Sequence, residues 1–132
     1  MVAVVTFGTF DLMHVGHVRL LEKARSFGDS LIVYLSSDEL NLKKKNRKPV
    51  YPWAERAEML SALSCVDDVR VEESLEDKVL YVRESKAAII VMGDDWSGRF
   101  DKDAKEAGVD IVYVARTPEI STTQTVEKIQ AL

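Results

Sequence analysis

Val2-Ala3-Val4-Val5-Thr6-Phe7-Gly8-Thr9-Phe10-Asp11-Leu12-Met13-His14-Val15-Gly16-His17 decides the fold. Residues 2–7 are apolar or β-branched without a break, as expected of a strand buried on both faces. Gly8 opens a tight turn. Val18-Arg19-Leu20-Leu21-Glu22-Lys23-Ala24-Arg25 then carries a helical pattern, with Leu20, Leu21 and Ala24 as its apolar stripe. The spacing predicts a helix over 14–27, stopped by Gly28. A strand-turn-helix junction presents backbone N–H groups and the positive end of a helix dipole, which suits an anion such as phosphate. Gly8 lets the backbone come close to such a group. Thr9 and Phe10 offer N–H groups at the turn, and Gly16 keeps space open between the histidines. His14 and His17, at i and i+3, share one helix face and can donate to one ligand together. Asp11 is read as orienting an N–H group, binding a metal or capping the helix. One histidine here would be an ordinary helix-surface residue. Two of them flanking a glycine, after a glycine turn, point to a nucleoside triphosphate.

Working outward, strand and helix signals alternate. Residues 30–36 form a second buried strand. Ser36 and Glu39 have capping-box spacing and start a short helix. Lys43-Lys44-Lys45-Asn46-Arg47-Lys48-Pro49 places five cations in six residues before a proline and reads as an exposed, mobile loop. Pro52 opens a helix that ends near Ser64. Residues 66–71 are a short strand flanked by acids, 75–85 an amphipathic helix with Ser74 near its start, and 87–92 a strand ending at Gly93. Residues 101–107 are a short helix stopped by Gly108, and 110–115 are the last strand. Ser121-Thr122-Thr123-Gln124 is a capping box before a C-terminal helix. This order predicts an α/β chain with a single doubly wound parallel sheet of about five strands, forming one domain over 1–132. Ligands of such sheets sit beyond the carboxyl ends of the strands, where the strand order reverses.

Composition narrows the class. A net charge of −4 argues against general nucleic-acid binding. The single cysteine, Cys65, cannot form an internal disulfide, which fits a reducing, cytoplasmic compartment. The N-terminal apolar run is too short and lacks the basic flank of a signal peptide. No apolar stretch approaches the ~20 residues of a membrane span.

Three further places carry candidate chemistry. The basic run follows the second strand, so its lysines can fold over the same sheet edge and neutralise a triphosphate, with Lys44 as the leading candidate. A solvated loop or a nuclear-localisation signal is the ordinary reading of such a run. Met92-Gly93-Asp94-Asp95-Trp96 ends a buried strand as either an acid-capped turn, with Trp96 filling a gap, or a base and ribose site. Arg116-Thr117 with Ser121-Thr122-Thr123 brings an arginine and hydroxyls to one strand end, as a second phosphate cradle would. Arg56 is a surface arginine or an anion contact. Cys65 and Trp53 read as packing.

Taken together, Gly8-Thr9-Phe10-Asp11, His14-Val15-Gly16-His17, Met92-Gly93-Asp94-Asp95-Trp96 and Arg116-Thr117-Pro118-Glu119-Ile120-Ser121-Thr122-Thr123 resemble the cytidylyltransferases of the HxGH nucleotidyltransferase superfamily. The resemblance spans nearly the whole chain and implies a Rossmann-like nucleotidyltransferase fold. It implies transfer of CMP from CTP to a small phosphate monoester, sn-glycerol 3-phosphate first among them, with release of pyrophosphate and CDP-glycerol entering polymer (teichoic-acid) synthesis. By the same likeness His14, His17, Lys44 and Arg116 are the catalytic set. Gly8, Thr9, Phe10, Asp11, Gly16, Gly93, Asp94, Trp96, Thr117, Ile120, Ser121 and Thr122 hold the nucleotide, and Asp11, Lys45 and Arg56 hold the acceptor. Mg²⁺ is expected, bridged mainly by substrate phosphates with Asp11 as the protein's candidate ligand, and a homodimer is expected. The chain departs from the family pattern at Pro118-Glu119, at Asn46 between Lys45 and Arg47, and at Ser64 where an arginine is usual. These departures bear on the acceptor, which could be another phospho-alcohol or phospho-sugar. The other readings are an adenylyltransferase of the same superfamily, similar to the archaeal FAD synthetases, and a non-catalytic nucleotide-binding protein.

Overall fold

Alternation along each strand separates two cores. Val4, Leu31, Val33, Leu35 and Val91 point to one face of a sheet, where they meet Leu21, Ala24 and Leu60. Val5, Phe7, Ile32, Tyr34, Ile90 and Met92 point to the other, where they meet Val82, Phe100 and Ala104. With side chains on both faces buried, the strands can run as continuous apolar segments. The structure is a computed structural model describing residues 1–115 and 122–132. It shows five parallel strands, β1 (Ala3–Gly8), β2 (Ser30–Ser36), β3 (Asp68–Glu72), β4 (Ile89–Gly93) and β5 (Asp110–Val114), in the order β3-β2-β1-β4-β5. Helices α1 (Val15–Arg25) and α3 (Trp53–Ser61) lie over the first core, and α4 (Lys78–Ser85) and α5 (Asp101–Ala107) over the second. Helices α2 (Asp38–Lys45) and α6 (Thr122–Gln130) complete the described elements. This is the doubly wound α/β sheet that the alternation predicts. The order reverses between β1 and β4, so the segments after those two strands flank the crevice where ligands of such sheets bind.

The register brings the carboxyl ends of β1, β2 and β3 level. Gly8 pairs with Leu35, and Ser36 pairs with Glu72. Everything that follows these residues is therefore delivered to one edge.

Four sequence expectations are corrected by the structure. The basic run is not a loop from its start. Lys43, Lys44 and Lys45 form the last turn of α2, where cations meet the negative end of the dipole. Asp38 and Glu39 occupy its first turn, and Asn46 ends it in the left-handed conformation at φ 57°. The helix cap is Ser37, whose hydroxyl accepts from Leu40 N–H at 3.0 Å, not Ser36. Likewise α4 begins at Lys78, because Ser74, four residues upstream of the helix, spends its hydroxyl on Glu76.

Arg56 is the fourth and largest correction. It is 0% exposed. Its Nε donates to Tyr51 O at 2.9 Å, its Nη1 to Thr9 O at 2.9 Å and Ser36 O at 3.0 Å, and its Nη2 to Asp38 Oδ1 at 2.7 Å. All three guanidinium nitrogens are bound inside the protein, so Arg56 does not reach an acceptor. It joins the ends of β1 and β2 to α2 and to the approach to α3. Removing it leaves buried carbonyls and a carboxylate without their donor. Arg56→Ala is expected to lose about 3 kcal/mol or more of unfolding free energy, read from urea denaturation. A loss below about 1 kcal/mol would show that water replaces the guanidinium.

Candidate functional site

The site begins with the turn after β1. Phe10 and Leu12 both lie in the left-handed region, at φ 47° and 49°, which costs a residue with a Cβ roughly 1 kcal/mol or more. Burial and hydrogen bonds hold the turn there. The Phe10 ring is buried beneath Gly8, where a Cβ would stand 2.7 Å from its Cε2. Glycine at position 8 is thus required by a ring of the same chain. Asp11 is also buried, and its two carboxylate oxygens accept from Val50 N at 2.6 Å and Tyr51 N at 3.0 Å. Thr122 donates its hydroxyl to Asp11 O at 2.7 Å, and Thr9 donates to Asn41 Oδ1 at 2.8 Å. Asn41 in turn donates to Arg47 O at 3.1 Å. The segment after α2 is therefore fastened at Arg47, Val50 and Tyr51.

His14 is the N-cap of α1. Its Nδ1 accepts from Gly16 N at 3.1 Å, while His17 Nδ1 accepts from His14 N at 3.3 Å. Two imidazoles thus occupy the roles that Ser and Glu play in an ordinary capping box. An Nδ1 that accepts cannot carry the proton, so each ring, when neutral, is the Nε2–H tautomer. The rings stack at 3.8 Å between centroids, with Phe10 edge-on to His17 at 5.4 Å. Burial, reinforced by His14 and Lys45 and opposed by Asp11, lowers the His17 pKa to about 4. At neutral pH His17 is an uncharged N–H donor. Beside His14 a pocket of about 240 Å³ opens, lined by Leu12, Met13, Tyr51, Met59 and Thr125.

The two lysines at the end of α2 differ. Lys45 is exposed, and burial with the Arg47 charge lowers its pKa while Asp11 raises it. Lys44 turns inward and donates to Ser36 Oγ at 2.7 Å. Burial lowers its pKa to about 8, against the pull of Glu72. Ser36 donates to Glu72 Oε1 at 3.1 Å, and Glu72 Oε2 accepts from Lys78. Lys78 also sits 4.6 Å from the Phe7 ring centroid and 5.5 Å from that of Phe100. At the end of β4, Gly93 leads into a single 3₁₀ turn, Asp94–Trp96, whose residues are exposed. Trp96 packs its edge against Phe100 with Arg99 over its face.

The described chain therefore gathers Gly8, Thr9, Phe10, Asp11, His14, Gly16, His17, Lys44, Lys45 and Thr122 around the end of β1. It places Gly93, Asp94 and Trp96 at the end of β4, the other side of the order reversal. Arg116, Thr117, Ile120 and Ser121 lie outside the described residues. Asp11 and Thr122 have a part that the sequence reading did not give them, since they tie α6 and the segment after α2 to the turn. Ser36, Glu72 and Lys78 were missed. Only Glu72 left a trace, as an acid at the end of a strand. Among the described residues no three His, Cys, Asp or Glu side chains form a group that could hold a metal, and no helix is long and apolar enough to cross a membrane.

Residues 5–128 match the family model described as cytidylyltransferase-like. The glycerol-3-phosphate cytidylyltransferase of Bacillus subtilis is 43% identical over 98% of both chains. The FAD synthase of Pyrococcus abyssi is 40% identical over 71% of this chain and 64% of its own. Among solved structures, a lipopolysaccharide core biosynthesis protein from Thermoplasma volcanium superposes with a TM-score of 0.78 at 26% identity, covering 89% of this chain and 98% of that one.

His17 makes stability depend on acid. The unfolded imidazole titrates near 6.5 and the folded one near 4, so the unfolded chain binds more protons between those values. Stability should therefore fall as pH drops from 6.5 to 4. His17→Gln keeps an acceptor for His14 N–H and should flatten that slope in urea melts taken across the range. An unchanged slope would assign the acid sensitivity to other groups.

Proposed function

The chain belongs to the cytidylyltransferase-like family, and from that membership we propose that it transfers CMP from CTP to sn-glycerol 3-phosphate, releasing pyrophosphate and CDP-glycerol. The observation that carries the reading is the near-complete overlap, in both directions, with the Bacillus subtilis enzyme. The FAD synthase of Pyrococcus abyssi is 40% identical but leaves part of each chain unmatched, and that of Thermococcus onnurineus covers 97% of this chain at only 32% identity, which ranks adenylyl transfer second.

The geometry supports the chemistry. A phosphate monoester is largely dianionic near neutral pH, its second pKa being about 6. Its oxygen can attack the α-phosphorus without a general base. As the new P–O bond forms, the bond to the bridging oxygen breaks, and the electron pair leaves with pyrophosphate. The protein must hold two anions in line and stabilise the charge that builds on the α-phosphate and the leaving group. The Nε2–H groups of His14 and His17 are fixed by their Nδ1 bonds and supply donors that do not need to reorganise, His17 as a neutral one. The amino end of α1 adds its dipole, and Lys44 and Lys45 supply positive charge. Arg116, Thr117, Ser121 and Thr122 complete the phosphate contacts by family likeness, and Asp94 and Trp96 stand where a nucleoside would lie.

Magnesium enters with the triphosphate. The protein's donors do not fit a cage for it: the Asp11 oxygens are engaged by Val50 and Tyr51, and no other described group qualifies. When bound, the ion would offset phosphate charge. The family likeness also supports a homodimer, and the lone Cys65 fits a reducing cytoplasm.

Pyrophosphate release with CTP, Mg²⁺ and glycerol 3-phosphate, against an ATP control, tests the reading. Release is expected with CTP. His14→Ala and His17→Ala are each expected to lower kcat by about 10²–10³ in proteins that remain folded. Release with ATP alone, or a fully active His17→Ala, would overturn it.

A further inference from the structure

The buried chain Lys44–Ser36–Glu72–Lys78 crosses four secondary-structure elements and is not explained by packing alone. Glu72 is 1% exposed and Ser36 is 0%. Register pairs these two residues at the carboxyl end of adjacent strands. Their side chains face the same way, away from solvent, while the neighbouring Val71 is exposed. A strand that exposes valine and buries glutamate reverses the ordinary preference. A buried ion pair of this kind commonly adds no stability over apolar residues of the same size. What the carboxylate does have is a line of hydrogen bonds to Lys44, in the last turn of α2 beside the end of β2.

We infer that Glu72 is a positioning residue for Lys44, acting through the Ser36 hydroxyl to hold the ammonium group charged and aimed at the phosphates of the nucleotide. The inference rests on the nucleotidyl-transfer reading and adds a residue that never touches substrate. Ser36 donates to Glu72 and accepts from Lys44, so the carboxylate fixes the direction of the hydroxyl. Lys44 is surrounded by cations: Lys45 on its own helix, Arg56 on α3 and Lys78 on α4. Glu72 on β3 is the negative charge that opposes them. Lys78 is held against Glu72 by the Phe7 and Phe100 rings, which fixes the far end of the chain.

The test uses the whole protein labelled with ¹³C,¹⁵N-lysine. The Lys44 side-chain titration is followed by NMR and assigned by its loss in Lys44→Arg. Glu72→Gln keeps an acceptor for Ser36 and Lys78 but removes the charge. The Lys44 midpoint should fall from near 8 by about one pH unit. The alkaline limb of kcat/KM for CTP, which reports the free enzyme, should move with it: about fivefold lower activity at pH 8 for a shift of that size, and little change at pH 6. Lys44→Arg placed in the Glu72→Gln protein should restore activity at pH 8, because arginine does not titrate there. Ser36→Ala provides a second variant with the ion pair intact; it should raise KM for CTP and also lower the midpoint.

A Lys44 midpoint unmoved by either folded variant overturns the inference. So does a midpoint that moves while the alkaline limb stays in place, which would leave the buried pair a structural element only. A wild-type protein that transfers no CMP, yet shows the Lys44 shift, would remove the reaction proposed above and still support the control of Lys44 by Glu72.

Discussion

The structure depends on one buried guanidinium. A parallel sheet brings the ends of β1 and β2 together, but it leaves the carbonyls beyond the last ladder bonds without donors. Arg56 supplies them. Its planar fork reaches Thr9 O, Ser36 O, Tyr51 O and the Asp38 carboxylate from a position with no solvent exposure. Lysine has one nitrogen and cannot serve this geometry. Two segments that carry the site, the turn after β1 and the stretch between α2 and α3, are fastened to the same side chain. Asp11 fastens them a second time through Val50 and Tyr51. A turn with two left-handed residues is thereby held in place by side chains of the same protein.

That rigidity matters for the histidines. An imidazole on a free helix face would rotate and would exchange protons near neutral pH. Here the two rings cap the helix with one nitrogen each, which fixes both orientation and tautomer, and His17 stays neutral well below pH 7. Positive charge is left to lysines at the end of α2. The site thus separates aim from charge: short donors fixed in direction on α1, and longer cations on a neighbouring helix.

Much of this was legible in the sequence because it rests on local periodicity. The apolar run at 2–7, the glycine turn and the two histidines sufficed to place the first strand and the first helix, with the histidines at the carboxyl edge of the sheet. The basic run was misread for a physical reason. Five cations suggest repulsion, but three of them sit at a helix carboxyl end that favours them, behind a Ser37 cap. Arg56 was read as a surface arginine or an anion contact because its position in the chain says nothing about four carbonyl and carboxylate partners drawn from other segments. Glu72 and Lys78 were invisible for the same reason: their partners lie in other strands and helices, and only register brings them together. Phe10 shows the opposite case. It was noticed for its backbone, whereas its ring is what makes glycine necessary at position 8.

Lys44 stands close to half-charged at pH 8. A polyanion seated against it draws the group back to full protonation, and the missing fraction of a proton must come from the solution. Association near that pH is therefore also an acid–base reaction with the buffer. Heats measured calorimetrically in Tris and in phosphate will differ by that fraction of the difference between the two ionisation enthalpies. Below pH 7 the difference shrinks, because the amine is already charged. The protein's proton balance on binding is set by how deeply one lysine at the end of α2 is buried.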